Sequence, residues 1–560
     1  ALLAGIFLGM HFLSWKGALL LTFIVSVYLV IQFIIDHLRG KSTDYLCITG
    51  TLYFLIASIV CLPHLGKAGV STVFGTSLLI AIVTPIALSI ISCLMVKKTV
   101  KPIYYPAALA GLAAISFAVF HAVEPTLLHS MLIRFKPFTP GGAYLTILEM
   151  HPLLFPYGHF SLKVAWVNFT TAFFISFISI GWLIYLSIKE ERADKTLFLA
   201  WSITTLVAVL GERRFGDYFA INAALLTGYF SWRILDFAGV KELLAKPKQM
   251  VKAYTEAKKA KKRKKAEVKA REKALQERRI AWMKVIAIGI AVFFLVFFPN
   301  IGKAKALAQE PSLITEGWYS SLEWLKNNSP EPFDDPDFYY KPHETPFQYP
   351  KTAYGIMSWW DYGYWIMRIS HRIPNSNPGQ ANAARVAHFF IAQDEKSANK
   401  IMDKMGSKYV IIDHQMPTTK FYAMPEWAGS SQDEFFETYY RPTQGGKLEP
   451  ATLFYPGYYN STVVRLYNFD GKAAVPHETL VISYKEGGRY KEITSSKSFS
   501  NYEDAETYIS SQKSGNYRIV SSDPFASPVP LAKLGHYKLV YASPQKWQGK
   551  PAVKIFEYTK

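Results

Sequence analysis

The sequence predicts a polytopic α-helical membrane domain followed by an outer α+β soluble domain. Half of the 560 residues are hydrophobic, and the long apolar runs are concentrated in residues 1–300. Residues 301–560 instead mix charges, aromatic residues and turns. A chain of this length exceeds the usual size of one domain, so we place the boundary between residues 300 and 301.

Nine apolar runs are candidate membrane spans. A span needs about 20 mostly apolar residues, so the first and the seventh run are short. Because the chain opens on Ala1 rather than Met, we expect that it is incomplete at its N-terminus. The nine runs cover residues 1–14, 17–36, 45–62, 72–96, 104–123, 165–188, 196–210, 216–235 and 281–299.

Basic residues predict the orientation in the membrane. The net charge is +20, and residues 241–279 hold 16 Lys and Arg against 5 Asp and Glu. This composition predicts a solvated helical arm on an anionic cytoplasmic membrane face. Nucleic-acid binding is the alternative for the arm, but we expect no nucleic-acid partner. Lys and Arg in alternate short loops place the 124–164 loop and the 301–560 domain on the extracytoplasmic side.

Within the outer domain, the pattern predicts a helical part at about 301–450 and a β-rich part at about 451–560. Helices are expected near 318–327 and within 381–406, and a buried strand at 409–412 leads to Asp413. Further strands are predicted at 462–467, 479–484, 517–520, 538–542 and 554–558.

Residues 358–365, Ser-Trp-Trp-Asp-Tyr-Gly-Tyr-Trp, are the densest aromatic stretch of this region. The indole N–H groups of Trp359 and Trp360, beside the Asp361 carboxylate, would suit recognition of one small hydroxyl. A hydrophobic cluster that covers a small core is the alternative. The run Trp-Trp-Asp-Tyr-Gly, which includes Tyr362, resembles the motif with which oligosaccharyltransferase catalytic subunits bind the Ser or Thr hydroxyl of an Asn-X-Ser/Thr acceptor.

Glu149 ends the tetrapeptide Thr146-Ile147-Leu148-Glu149 in the long outer loop. A carboxylate in apolar surroundings at a membrane surface is costly unless it is paired, protonated or bound to metal. Glu149 alone would suit an ordinary loop carboxylate equally well. Its setting resembles the Thr-Ile-X-Glu motif in the fifth external loop of the same family, where the Glu binds the acceptor beside the catalytic metal.

Arg213 and Arg214 begin the eighth apolar run. Each could extend to the membrane interface as a simple anchor, or bind phosphate through two parallel hydrogen bonds. The stretch Arg-Arg-Phe-Gly-Asp-Tyr-Phe-Ala resembles the family segment whose arginine contacts the pyrophosphate of the lipid-linked sugar. Position favours Arg214 for that contact, with Arg213 as the second choice.

The segment from Asp413 to Met424 resembles the archaeal form of a second acceptor motif, in which Asp413 and Lys420 frame a short helix and Met416 lies between them. Without that resemblance, we would predict only a turn capped by Asp413.

The resemblance to archaeal oligosaccharyltransferase catalytic subunits implies a GT-C-like membrane glycosyltransferase. Its reaction would transfer an oligosaccharide from a dolichol-linked (pyro)phosphate carrier to the Asn amide of sequons in secreted or membrane proteins. Mg²⁺ or Mn²⁺ would be the cofactor, with Glu149 near it and the main metal ligands expected upstream of Ala1. Partners would also include membrane lipids. The protein would lie in the cell membrane, with its active site on the extracytoplasmic face.

Two other classes of function stay open at this point. One is a membrane glycosyltransferase that acts on lipid or carbohydrate, which has no need for a hydroxyl-binding Trp-Trp-Asp pocket. The other is a non-catalytic transporter or receptor whose outer domain binds sugar or peptide. A transporter would show broken or polar helices at the membrane midplane, whereas Pro85 is the only proline in the middle of a predicted span. The glycan, the choice between mono- and pyrophosphate, and the choice between Mg²⁺ and Mn²⁺ also stay open.

Overall fold

The computed structural model divides into two compact units, Ala1–Glu310 and Pro311–Lys560. The predicted boundary at residue 300 therefore falls inside a helix, Phe298–Ala308. The structure describes residues 1–65, 72–133, 146–156, 158–190, 193–244, 264–310, 314–333, 335, 338, 341, 347–442, 447–488 and 490–560.

The secondary-structure elements of the first unit are all helices or helical turns among its described residues. Its longer helices are apolar along most of their length, as membrane-spanning segments must be. In chain order, helices α1 to α12 are Leu2–Ser14, Leu19–Leu38, Asp44–Leu65, Val73–Lys97, Tyr105–Val123, Pro125–Leu132, Lys163–Phe169, Thr171–Glu190, Ala193–Gly211, Gly216–Phe237, Lys264–Val292 and Phe298–Ala308.

Seven helices among the described residues are long and apolar enough to cross a membrane, so the chain is a multi-pass membrane protein. All nine predicted runs coincide with helices, but two of them do not reach this standard. The first, α1, has only 13 residues. The eighth, α10, has 22 residues, but it carries Asp217, Arg233 and Asp236, which lower its hydropathy. Seven of the nine predicted runs therefore meet this standard among the described residues, and the count of nine spans stays a prediction.

Two short 3-10 turns of the first unit carry its predicted site residues. They are Leu148–Met150 and Arg213–Phe215, the latter between α9 and α10. The first half of α11 continues the basic arm, whereas the predicted cluster Lys261–Lys265 lies largely outside the described residues.

The second unit combines short helices with two five-stranded sheets. One sheet has the order β2-β1-β3-β12-β9, and the other has the order β5-β4-β7-β6-β8. The strands β1 to β12 are Gly355–Met357, Ile373–Pro374, Ser407–Asp413, Phe436–Pro442, Leu448–Phe454, Thr479–Gly487, Tyr490–Phe499, Asn516–Val520, Tyr537–Ala542, Lys546–Trp547, Lys550–Pro551 and Val553–Tyr558. Its main helices, α13 to α19, are Glu316–Asn328, Ala383–Ile391, Glu395–Lys404, Ala423–Ala428, Pro456–Asn460, Thr462–Phe469 and Tyr502–Ser511.

The structure bears out the predicted helices near 318–327 and within 381–406, and five of the six predicted strands. The strand predicted at 462–467 is wrong, because these residues form helix α18. All six are buried, and a short apolar run that is buried on every side has no periodicity to distinguish strand from helix. The first half of the unit also contributes β1 to β4, so it is less purely helical than predicted.

Candidate functional site

The predicted site residues fall into two sets, one in each unit. In the second unit, the set is positioned by two neighbouring parallel strands. β1 pairs with β3 in parallel, with Ile356 opposite Tyr409 and Met357 opposite Val410. Since parallel neighbours end at the same edge of a sheet, the chain leaves both strands at one edge. Residues 358–365 follow β1 there, and residues 414–422 follow β3.

The Trp-Trp-Asp segment is a tight turn. Trp359 is buried and Trp360 is half-buried, and their rings lie 6.1 Å apart. The next residue, Gly363, has no room for a side chain because the backbone of Ser376 lies close to it. A Cβ atom at position 363 would lie 2.3 Å from the carbonyl oxygen of Ser376. The glycine of the motif is thus required by close backbone approach rather than by an unusual φ.

Trp360 carries an unsatisfied donor. Its Nε1 atom is buried and donates to no atom in the part of the chain that the structure describes. The ring lies 6.1 Å from the ring of Trp427 at 55°. An unpaired buried donor costs about 1–3 kcal/mol, so the indole is prepared for an acceptor brought by a ligand.

Asp361 forms an ion pair with Lys420, which donates to its Oδ2 atom. The two side chains are 27% and 24% exposed, so the pair is accessible to a ligand. The Lys420 ammonium also lies over the Tyr362 ring, 4.8 Å from its centroid. The two acceptor motifs predicted from the sequence are therefore in direct contact.

Asp413 is the buried centre of this set and is only 2% exposed. Its Oδ1 atom accepts from the backbone N–H groups of Gln415 and Met416, both at 3.1 Å, as expected of a capping aspartate. Its Oδ2 atom accepts from Trp318 Nε1 at 3.1 Å and from the Tyr362 hydroxyl at 2.5 Å. Four donors thus compensate for the burial of this carboxylate.

Tyr362 remains protonated in this setting. Burial, followed by the charges of Asp413 and Asp361, raises the pKa of its hydroxyl well above the usual value. The hydroxyl is therefore available as the donor to Asp413. Met416 contributes its backbone N–H here, while its side chain is fully buried in the core.

In the first unit, Glu149 lies exposed in its 3-10 turn. Arg213 fastens this turn to the start of α10, because its Nε and Nη2 atoms donate to the carbonyl oxygen of Leu148 at 2.9 and 2.5 Å. The backbone N–H of Arg213 also donates to the carbonyl of His151 at 3.0 Å. The turns that carry Glu149 and the arginine pair are therefore packed together.

Arg214 is held by Glu212. Its Nε atom lies 2.5 Å from Glu212 Oε2, and the side chains are 39% and 4% exposed, respectively. Burial raises the pKa of Glu212, the guanidinium of Arg214 opposes this shift, and the charge of Glu149 adds to it. Arg214 thus keeps an exposed guanidinium whose position is fixed on one side, whereas Arg213 is engaged with the backbone.

The described residues do not complete a metal site. Glu149 offers the hard oxygen donor that Mg²⁺ and Mn²⁺ prefer, but no three His, Cys, Asp or Glu side chains cluster among the residues that were described. We therefore assign no chemical step to a metal.

Sequence reasoning missed two contributors. Trp318 appeared only as the start of a helix, although its indole reaches Asp413. Glu212 is not among the predicted site residues, although it is the partner of Arg214. The adjacent acid and arginines at 212–214 were the available signal for Glu212, whereas no local pattern marks Trp318.

Residues 315–417 match a family model described as the AglB core domain. The chain is 25% identical over 542 residues to the dolichyl-phosphooligosaccharide-protein glycotransferase 3 of Archaeoglobus fulgidus, covering 89% of this chain and 59% of the relative. It is also 25% identical over 665 residues to the dolichyl-monophosphooligosaccharide–protein glycotransferase AglB of Haloferax volcanii, covering 97% and 59%.

A solved structure shares the fold. It is the oligosaccharyltransferase AglB from Archaeoglobus fulgidus in complex with an inhibitory peptide and a dolichol-phosphate. The TM-score is 0.68 at 20% identity, and the alignment covers 99% of this chain and 66% of the other. The chain thus spans less than two thirds of the length of each of these three proteins.

Proposed function

We propose that this chain, a relative of archaeal oligosaccharyltransferase catalytic subunits, contributes the acceptor-selecting part of an enzyme of protein N-glycosylation. The enzyme would transfer an oligosaccharide from a dolichol-(pyro)phosphate carrier to the Asn amide of Asn-X-Ser/Thr sequons. Secreted and membrane proteins that bear such sequons would be its acceptors, and the surrounding lipids its environment.

The observation that carries this proposal is the buried, unsatisfied indole N–H of Trp360 beside the Asp361–Lys420 pair. A Ser or Thr hydroxyl both accepts and donates hydrogen bonds. It would accept from Trp360 and donate to the Asp361 carboxylate, with Trp359 completing the wall of the pocket. An acceptor with Ala at this position would leave both groups unpaired, which costs about 1–3 kcal/mol.

Glu149 and Arg214 would serve the chemical step. An amide nitrogen is a poor nucleophile because its lone pair is delocalised into the carbonyl. The exposed Glu149 carboxylate would accept a hydrogen bond from the acceptor amide and fix its orientation. The guanidinium of Arg214 would bind the phosphate of the donor, where negative charge develops as the sugar leaves. These two assignments are proposals from the family motifs and from the geometry of their turns.

A divalent cation, Mg²⁺ or Mn²⁺, would complete this site, and Glu149 is the described residue suited to lie beside it. Such an ion would stabilise charge on the departing phosphate. We further propose that the site and the second unit act on the extracytoplasmic side of the cell membrane, as the alternation of basic loops predicts.

The test uses the full-length protein in membranes with a dolichol-linked oligosaccharide and Asn-X-Thr, Asn-X-Ser and Asn-X-Ala peptides. We expect transfer to the first two peptides. Transfer to the third should be at least about tenfold less efficient, because the hydroxyl contacts are lost. Trp360→Phe, which removes the N–H and keeps an aromatic ring, should reduce this discrimination.

Trp324→Phe is the matched control, since Trp324 is also a half-buried tryptophan of the second unit but stacks on Tyr541 at 5.1 Å, outside residues 358–365. It should leave discrimination between the peptides unchanged. Equal transfer to all three peptides by the unmodified protein would exclude the hydroxyl pocket, and no transfer to any of them would exclude the reaction.

A further inference from the structure

The geometry points to Trp318 as a positioning residue for acceptor selection: its indole, through Asp413 and Tyr362, fixes the Asp361–Lys420 pair. This inference rests on the proposed function and adds to it a residue outside the acceptor motifs. Trp318 would not touch the acceptor, because it acts through the groups that do.

Trp318 is held rigidly near the start of α13. It is 3% exposed, and Thr315 caps the helix by accepting from the Trp318 backbone N–H at 3.4 Å. The preceding backbone N–H, of Gly317, donates to Gln545 Oε1 at 2.6 Å. A Cβ atom on Gly317 would lie 2.8 Å from the same Gln545 oxygen. The helix start is thus anchored closely against the C-terminal strands.

The indole makes three contacts that hold residues 358–365, which we call the acceptor turn after its proposed role. Its ring is stacked on Tyr362 at 4.1 Å and 30°, and meets Trp365 edge-on at 5.7 Å and 72°. Its N–H donates to Asp413 Oδ2, the same oxygen that accepts from the Tyr362 hydroxyl. Trp318 therefore fixes both the plane of the Tyr362 ring and the oxygen to which Tyr362 is bound.

Tyr362 passes this constraint on to the exposed pair. It follows Asp361 directly in one 3-10 turn, Trp360–Tyr362, so a backbone shift at Tyr362 would move the Asp361 carboxylate with it. Its ring also lies beneath the Lys420 ammonium at 4.8 Å, where the aromatic face attracts a cation. Both members of the pair thus depend on the position of one buried tyrosine.

The buried indole N–H of Trp318 needs an acceptor, and this acceptor is a carboxylate that is already bonded by two backbone groups and by Tyr362. Loss of that N–H would leave the Tyr362 hydroxyl as the only side-chain donor on Oδ2 among the described residues. Since small misplacements of binding groups have large effects on reaction, loosening this network should weaken acceptor use before it unfolds the unit.

The experiment compares Trp318→Phe with Trp324→Phe in the full-length protein. Trp324 lies on the same helix and stacks on Tyr541 at 5.1 Å, but it makes no contact with Asp413. We expect Trp318→Phe to raise the KM for Asn-X-Thr peptide about tenfold, with little change in the KM for the lipid-linked donor. Trp324→Phe should lower Tm without changing either KM.

Tyr362→Phe provides the second variant, since it removes the other side-chain donor to Asp413 Oδ2. Its effect on the peptide KM should be non-additive with that of Trp318→Phe, as expected for groups in one network. If Trp318→Phe does not fold, Tyr362→Phe decides: an unchanged peptide KM overturns the inference. An equal rise in KM for Trp324→Phe would also overturn it, because general destabilisation would then be sufficient.

The two proposals fail in different ways. If the unmodified protein does not distinguish Asn-X-Thr from Asn-X-Ala, the proposed function fails. If it distinguishes them and Trp318→Phe retains the unmodified peptide KM, only the role of Trp318 fails.

Discussion

The two sets of site residues are built on different principles. The acceptor turn of the second unit rests on a buried carboxylate, Asp413, with four donors and two stacked aromatic rings. The Glu149 turn of the first unit is exposed and is fastened by hydrogen bonds from Arg213 to two backbone carbonyls. The proposed selection of one small hydroxyl would require a fixed pocket, whereas a carboxylate that we propose to contact the acceptor amide would require access. Substitutions should therefore affect stability and activity together in the first case, and mainly activity in the second.

The largest effect is expected for Asp413→Asn, which keeps the size of the side chain. Its amide oxygen can still accept the backbone N–H groups of Gln415 and Met416, so its NH₂ group would face Trp318 and Tyr362. The tyrosine hydroxyl can turn and accept, but the indole N–H cannot. We expect a loss of about 1–3 kcal/mol in the free energy of unfolding and a parallel loss of acceptor use.

Thermal unfolding and peptide KM measure these two losses. Asp403→Asn is the control, since Asp403 is about half exposed, accepts a hydrogen bond from the Tyr558 hydroxyl at 3.2 Å and lies 3.9 Å from the Lys560 ammonium. An Asp413→Asn protein as stable and as active as the unmodified one would contradict the buried-network account of the acceptor turn.

The second prediction concerns Glu149→Gln, which removes the charge and keeps the side-chain size. Transfer should fall by more than about tenfold, equivalent to about 1.4 kcal/mol in the barrier, while Tm changes little because the side chain is exposed. Glu124→Gln, an exposed glutamate of the same unit, should retain full transfer. Full activity of Glu149→Gln across a range of metal and peptide concentrations would make Glu149 an ordinary surface charge.

The smallest effect is expected for the pH dependence of Glu212. Because burial raises its pKa in the folded protein above the usual value of a glutamate, its stabilising contribution is complete at acidic pH and decreases as pH rises through the raised pKa. The unmodified protein should therefore lose stability relative to Glu212→Gln between about pH 4.5 and neutrality. Tm measured for both proteins over this range is the test, and a stability difference that does not vary with pH would contradict the shift.

Much of the second unit could be predicted from local pattern. The alternating and buried runs gave β3, β6, β8, β9 and β12, and the apolar spacing in residues 381–406 gave α14 and α15. Residues 462–467 could not be assigned correctly, since a run buried on all sides satisfies a strand and a helix equally well. In the first unit, each of the nine predicted apolar runs coincides with a helix, because a long apolar run is a local property that hydropathy detects.

The sequence by itself determined the apolar spans, the predicted orientation from basic loops, and the motifs that hold Glu149, Arg214 and Asp361, because these are properties of neighbouring residues. Only the tertiary structure decided which groups meet. Trp318 and Asp413 are 95 positions apart, and Lys420 and Asp361 are 59 apart. The parallel pairing of β1 with β3 brings the two acceptor segments to one sheet edge, and the packing of α13 brings Trp318 to Asp413. Such contacts depend on the direction of side chains across elements, which no local periodicity encodes.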